Sequence, residues 1–254
     1  MAKKRSAATR RAQSEAAAER ATAIRKEQQH AERRRRSLFI VAGLAVLAVV
    51  ATVAVTYLDR TGQPATPPRG AVSTYAVPAG PGSAPVTVSI YEDFMCPYCG
   101  DFESASRDLL EKHVEDGTVQ VRYHVLNFLD DRSTTDYSTR AANALAVVLD
   151  TSGPAVAKRF HDLLFENQPE EGGAGLSDAQ LIDYAARAGA SLRPALSKGI
   201  EARTFEQWVD NGKDQASKDG VNSTPTVKVD GKTVTYTTIE ELVGKVEDAI
   251  EDAS

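Results

Sequence analysis

From Leu38 to Leu58 the chain runs 21 residues without one charged side chain. As a helix rising ~1.5 Å per residue the segment is ~31 Å long, a match for the ~30 Å hydrocarbon core of a bilayer. Its flanks differ sharply in charge. Residues 1–36 carry 12 Lys/Arg and 4 Glu, a net of +8, whereas residues 59–254 carry 18 Lys/Arg and 31 Asp/Glu, a net of −13. The formal total of −5 conceals that division.

A cleavable secretory signal has a short charged start, a shorter apolar stretch and a small-x-small cleavage site. Here the charged start is 36 residues long, and the alanines from Ala42 to Ala54 fall three apart, so no A-x-A occurs in the run. The expectation is an uncleaved transmembrane helix over 37–58. Arg33 to Arg36 abut it on the N-terminal side, and the positive-inside bias places the basic 1–36 tail in the cytoplasm and the rest outside. The tail mixes Glu with Arg and has no apolar face, so it reads as a solvated, topology-fixing segment with no nucleic-acid partner.

Residues 59–85 hold six prolines and read as a tether, with a short edge strand at Val72–Tyr75. Val86 to Tyr91 alternates and is β-branched, the pattern of a strand; a helix from Gly100 to Asp116 and a second strand from Val119 to Val125 follow. Residues 133–219 are helical in pattern: Ala141–Leu149, Ala155–Phe165, Ser177–Ala188 and Leu192–Trp208. Ser177 and Gln180 form a capping box there, and Trp208 is read as packing within the block. A hairpin of Thr226–Val229, Asp230-Gly231 and Thr233–Tyr236 precedes an amphipathic helix from Ile239 to Ile250.

The chain has two cysteines, too few for a multi-bridge scaffold or a four-thiolate metal site. They stand as Cys96-Pro97-Tyr98-Cys99 where a strand gives way to a helix. A helix N-terminus presents unsatisfied N–H groups and the positive end of the dipole, both of which favour thiolate at Cys96. Pro97 suits the first helical turn. One turn returns Cys99 beside Cys96, so that an outer thiolate can exchange and an inner thiol resolve the mixed disulfide. Three other readings stand beside this redox pair. A structural disulfide would close only a tiny loop. A zinc half-site would need partners from His113, His124 and His161, which form no paired motif. Inert buried thiols leave the helix-start position unexplained.

The combination of Glu92-Asp93-Phe94-Met95-Cys96-Pro97-Tyr98-Cys99, the helical block and Ser223-Thr224-Pro225-Thr226 before the hairpin resembles the DsbA-like branch of the thioredoxin superfamily, over roughly residues 72–254. With the anchor, it resembles the membrane-tethered form found in Gram-positive and actinobacterial envelopes. The resemblance implies an α/β thioredoxin-like fold over 86–254 with an inserted helical subdomain, preceded by the single transmembrane helix. It also implies a cis Pro225 facing the cysteines, and a backbone at Thr224 that binds an extended substrate peptide. Many relatives carry a buried acid six residues before the first cysteine, where this chain has Ile90. Glu92 lies on the same strand face and either substitutes as proton relay or is a solvated carboxylate at the strand end.

The function expected is extracytoplasmic thiol-disulfide exchange that oxidises cysteine pairs in exported proteins, with a quinone-linked membrane thiol oxidase restoring the disulfide and with no metal or organic cofactor. Two alternatives stay open: a reductase or isomerase of the same fold, and a tethered peptide-binding module whose disulfide is structural.

Overall fold

The structure, a computed structural model, describes residues 38–52 and 63–253. The chain divides into two compact units, residues 1–60 and 61–254. In the first, residues 38–52 form helix α1, whose apolar side chains are exposed. Among the described residues no helix is long and apolar enough to cross a membrane. The 1–36 tail and the last six residues of the expected span lie outside the described residues.

The second unit is built on a five-stranded sheet of order β1-β3-β2-β4-β5. These strands are Val77–Ala79, Val86–Glu92, Val119–Val125, Thr226–Val229 and Lys232–Thr233, numbered β1 to β5 in chain order. β2 and β3 run parallel and are joined through helix α2, Pro97–Glu115. Parallel neighbours need such a crossover, because no tight turn can reverse the chain twice. β1 is antiparallel to β3, and β4 to β2. β2 is therefore flanked on both edges, and five of its seven residues are buried.

Between β3 and β4 lie the inserted helices α3 (Tyr137–Ser152), α4 (Pro154–Glu166), α5 (Asp178–Arg187), α6 (Pro194–Glu201) and α7 (Glu206–Lys218). The closing helix α8 (Ile239–Ala253) packs on α2, while α4 rests on α3, β1 and α2. One apolar core runs from the sheet into the insertion. The Ser177–Gln180 capping box forms as read from the sequence.

Three expectations are corrected. The stretch read as a tether is partly folded. A bridge pairs Val72 with Ala76, a turn carries Ser73 and Thr74 at positive φ, and Val77–Ala79 supplies β1. Trp208 is buried, and its indole N–H donates to the Thr74 carbonyl at 2.7 Å, tying this stretch to α7. Leu192–Trp208 is two helices, because Arg203 adopts φ +50° and the amides of Arg203 and Thr204 close back on Ile200 and Gly199. That is a Schellman ending with arginine where glycine is usual, so residue type gave no stop signal. The second hairpin strand spans only Lys232–Thr233, and Tyr236 instead turns its hydroxyl to the Pro225 carbonyl, 2.7 Å away.

The insertion is knitted by Arg140, which is only 8% exposed. Its guanidinium donates to the Thr135, Ala174 and Leu176 carbonyls, to the Thr135 hydroxyl and to the Asp178 carboxylate, all within 3.1 Å. The loop it holds passes under the Tyr137 ring at Gly175, where φ is +68° and a Cβ would lie 2.2 Å from the ring. Replacing Arg140 by alanine leaves buried carbonyls without donors and is expected to cost about 3 kcal/mol or more. Urea unfolding of the chain measures this, and Arg140→Lys is expected to recover less than half, since an ammonium cannot span the same acceptors.

Candidate active site

β2 ends at Glu92, and Asp93 then turns the chain into α2. The Asp93 carbonyl accepts from the Cys96 amide at 2.9 Å. The Asp93 side chain is fully buried and accepts from the Met95 and Leu129 amides at 2.9 Å and from the Ser138 hydroxyl at 2.6 Å. Burial pushes its carboxyl up to about 6 against the pull of those donors. The turn delivers Cys96 to the N-cap of α2, in extended conformation, with Pro97 beginning the helix.

Cys96 and Cys99 are both free, so this is the dithiol form. Both are buried, but Cys96 keeps 5% exposure next to the largely exposed Tyr98, while Cys99, one turn behind it, has none. A hydrogen bond from the Cys99 thiol lowers the Cys96 pKa to about 7, against a desolvation penalty from burial and with help from the Thr224 hydroxyl and the Cys99 amide. Burial pushes Cys99 the other way, well above an ordinary thiol, and the hydrogen bond given to Cys96 adds to this. The two thiols are thus split into a nucleophile near neutrality and a partner that keeps its proton.

The loop before β4 closes over the pair. Thr224-Pro225 is cis, and the Thr224 carbonyl accepts from the Cys96 thiol at 3.5 Å. Cys96, Cys99, Thr224 and Pro225 are therefore brought together as the resemblance implies. Tyr236, which bonds Pro225, also faces the pair: burial, and then the cysteine charges, raise its pKa.

Glu92 is not a solvated carboxylate. It is fully buried, and His161 of α4 meets it at 2.6 Å through Nε2 while Nδ1 faces Asp162 at 3.2 Å. Burial alone would lower the His161 pKa, but the Glu92 charge and the hydrogen bonds to Asp162 and Glu92 overcome it and raise it to about 10. Glu103 completes a buried trio, with one donor atom each from Glu92, Glu103 and His161 lying within 4.8 Å of one another. Both ring nitrogens of His161 are engaged within the protein, and Lys158 lies beside the trio, bonded to Asp162. The other histidines of the zinc half-site reading stand apart from the thiols, with His113 on Thr118 and His124 stacked on Tyr91.

Gln168, just past α4, also reaches the site. Its amide donates to the carbonyls of Phe94 at 3.1 Å and Cys96 at 2.8 Å. The Cys96 carbonyl also accepts the first helical amides, those of Cys99 and Gly100. A Cβ on Gly100 would lie 2.3 Å from the Gln168 oxygen, so a larger residue there would displace this side-chain amide. Neither Gln168 nor Glu103 stood out in the sequence. The one available signal was that Glu103 follows Cys99 by four residues, on the same helical face.

A thioredoxin family model matches residues 73–248. The mycobacterial serine/threonine-protein kinase PknE is 32% identical over 163 residues, 62% of this chain, but the match spans only 29% of the kinase's length. The crystal structure of reduced DsbA from Mycobacterium tuberculosis superposes with a TM-score of 0.58 at 30% identity, covering 70% of this chain and 97% of that one. MdbA from Corynebacterium diphtheriae, described as a thiol-disulfide oxidoreductase, does so with a TM-score of 0.59 at 25% identity over 78% and 98%.

Since the largest influence lowering the Cys96 pKa is the Cys99 hydrogen bond, Cys99→Ala is expected to raise it. The rate of Cys96 alkylation by iodoacetamide, followed against pH, is expected to inflect near 7 in the native dithiol and at distinctly higher pH in the variant.

Proposed function

The chain belongs to the thioredoxin family, in its DsbA-like branch, and on that basis we propose that it is a thiol-disulfide oxidoreductase working outside the cytoplasm from an N-terminal membrane anchor. Cys96 forms the mixed disulfide with a substrate and Cys99 resolves it. The Thr224 backbone beside Pro225 holds the substrate segment, and Glu92 is the buried acid that manages the proton of the inner thiol. The preferred direction is oxidation of cysteine pairs in exported proteins, with a quinone-linked membrane thiol oxidase restoring the disulfide.

The observation that carries the exchange chemistry is the asymmetry of the pair. Cys96 stands at a helix N-cap with its thiolate favoured, and Cys99 is sealed behind it with its proton retained. A site that stabilises the thiolate stabilises the reduced enzyme, which makes its disulfide the more oxidising. The anchor rests on the uncharged run from 38 to 58, and the orientation on the +8 tail before it. An extracytoplasmic setting permits disulfides to persist.

One observation favours the opposite direction. Thiols near 7 are characteristic of reducing members such as thioredoxin, whereas a strong oxidant such as DsbA lies near 3.5; Cys96 stands at about 7. The same site would then serve as a reductase or isomerase.

Cys96→Ser is expected to abolish both insulin reduction and the oxidative refolding of a reduced substrate, and retained activity in that variant overturns the enzyme reading. Equilibration of the purified chain with glutathione then decides the direction. A potential more positive than about −200 mV is expected of an oxidant, and one near −270 mV assigns the reductase instead.

A further inference from the structure

The hairpin of β4 and β5 pairs Lys228 with Thr233 and Val229 with Lys232, and its last rung is the Val234 amide donating to the Val227 carbonyl at 2.9 Å. Continued by two residues, that register would set the Tyr236 amide on the Pro225 carbonyl. The chain leaves the sheet first, and the side chain of the same residue takes the place of the missing rung: the Tyr236 hydroxyl donates to the Pro225 carbonyl at 2.7 Å.

The segment that carries Tyr236 is fastened to α8 on both sides of it. Lys245 donates to the Thr235 carbonyl at 2.8 Å, while the Thr237 amide and hydroxyl donate to the Glu241 carboxylate at 2.7 and 2.6 Å. Lys245 and Glu241 are themselves paired one turn apart. The Tyr236 ring is half-buried against the apolar core. α8 also packs on α2, so the helix that carries Cys99 and the loop that faces Cys96 lean on one support. Pro225 is buried, and a buried carbonyl without a donor is costly. The neighbouring Thr224 carbonyl is the one that meets the Cys96 thiol, at 3.5 Å.

We propose that Tyr236 is a positioning residue for peptide substrates: its hydroxyl braces the Pro225 carbonyl and so holds the Thr224 backbone beside Cys96 ready to pair with an extended segment. This role rests on the reading of Cys96 and Cys99 as a working dithiol with substrate held at Thr224. An unbraced loop has to be ordered each time a peptide binds, and bracing removes that cost beforehand. A small thiol makes no backbone pairing and gains nothing from it. The brace therefore favours cysteines in extended chain over small free thiols. Burial, and then the charges of Cys99 and Cys96, hold the Tyr236 hydroxyl above its ordinary pKa, so it remains a donor while a thiolate stands nearby.

The test compares two reductants of the full-length oxidised chain, dithiothreitol and an unstructured synthetic peptide with two cysteines, in the native protein and in Tyr236→Phe. Rates of loss of the Cys96–Cys99 disulfide are followed by acid quench, alkylation and mass. Tyr236→Phe is expected to raise the half-saturating peptide concentration about three- to tenfold, the worth of one hydrogen bond. The maximal rate with peptide and the rate with dithiothreitol are expected to stay within about twofold of native. A peptide rate unchanged by the substitution overturns the proposal, whether or not that rate saturates. So does an equal slowing with peptide and dithiothreitol, since that marks a general disturbance of the thiol site. Failure of the native chain itself to exchange with dithiothreitol would instead overturn the dithiol reading, whatever Tyr236 does.

Discussion

Two consecutive carboxylates, Glu92 and Asp93, are fully buried at the end of the central strand, and most of what surrounds the active site answers that constraint. A buried charge is tolerated only where donors or counter-charges meet it. The sheet cannot supply them, because the backbone groups of β2 are already spent on β3 and β4. They come from the insertion and the loop that leads into it: His161 of α4 meets Glu92, while Ser138 of α3 and the Leu129 amide meet Asp93. The helical block is therefore a working part of the thiol site and not an appendage. This is also why one apolar core is continuous between block and sheet.

The same constraint fixes where α2 begins. Asp93 gathers the Met95 amide with its side chain and the Cys96 amide with its carbonyl, which turns the chain in one step from strand to helix. Gln168 then pins the Cys96 carbonyl from the far side, in space that Gly100 leaves open. Cys96 is thus held from three directions, by Asp93, Gln168 and the Thr224 carbonyl. Exchange chemistry rewards such positioning, because the attacking sulfur must line up with a disulfide along one axis.

Local features were legible from residue order alone. The alternation of Val86 to Tyr91 marked β2, Pro97 marked the start of α2, and Asp230-Gly231 marked the hairpin turn, as local chemistry dictates. That Thr224-Pro225 meets Cys96 came from the family resemblance, not from residue order. What escaped was whatever depends on partners distant in sequence. Glu92 at a strand end reads as solvated until His161, 69 positions away, is seen against it. β1 was hidden in a proline-rich stretch because an edge strand tolerates proline, and Pro78 does sit in the strand. Arg203 hid a helix end by taking a conformation that glycine ordinarily signals.

The division of labour between the two thiols follows from the same packing. Cys96 caps α2 with a little of its surface left exposed, beside the exposed Tyr98 and against the Thr224 carbonyl, whereas Cys99, one turn further in, has none. Burial penalises a thiolate, so the inner sulfur keeps its proton, while the hydrogen bond it gives to Cys96 helps the outer one to lose its own. Exchange at one sulfur and retention of the proton at the other thus come from a single turn of helix.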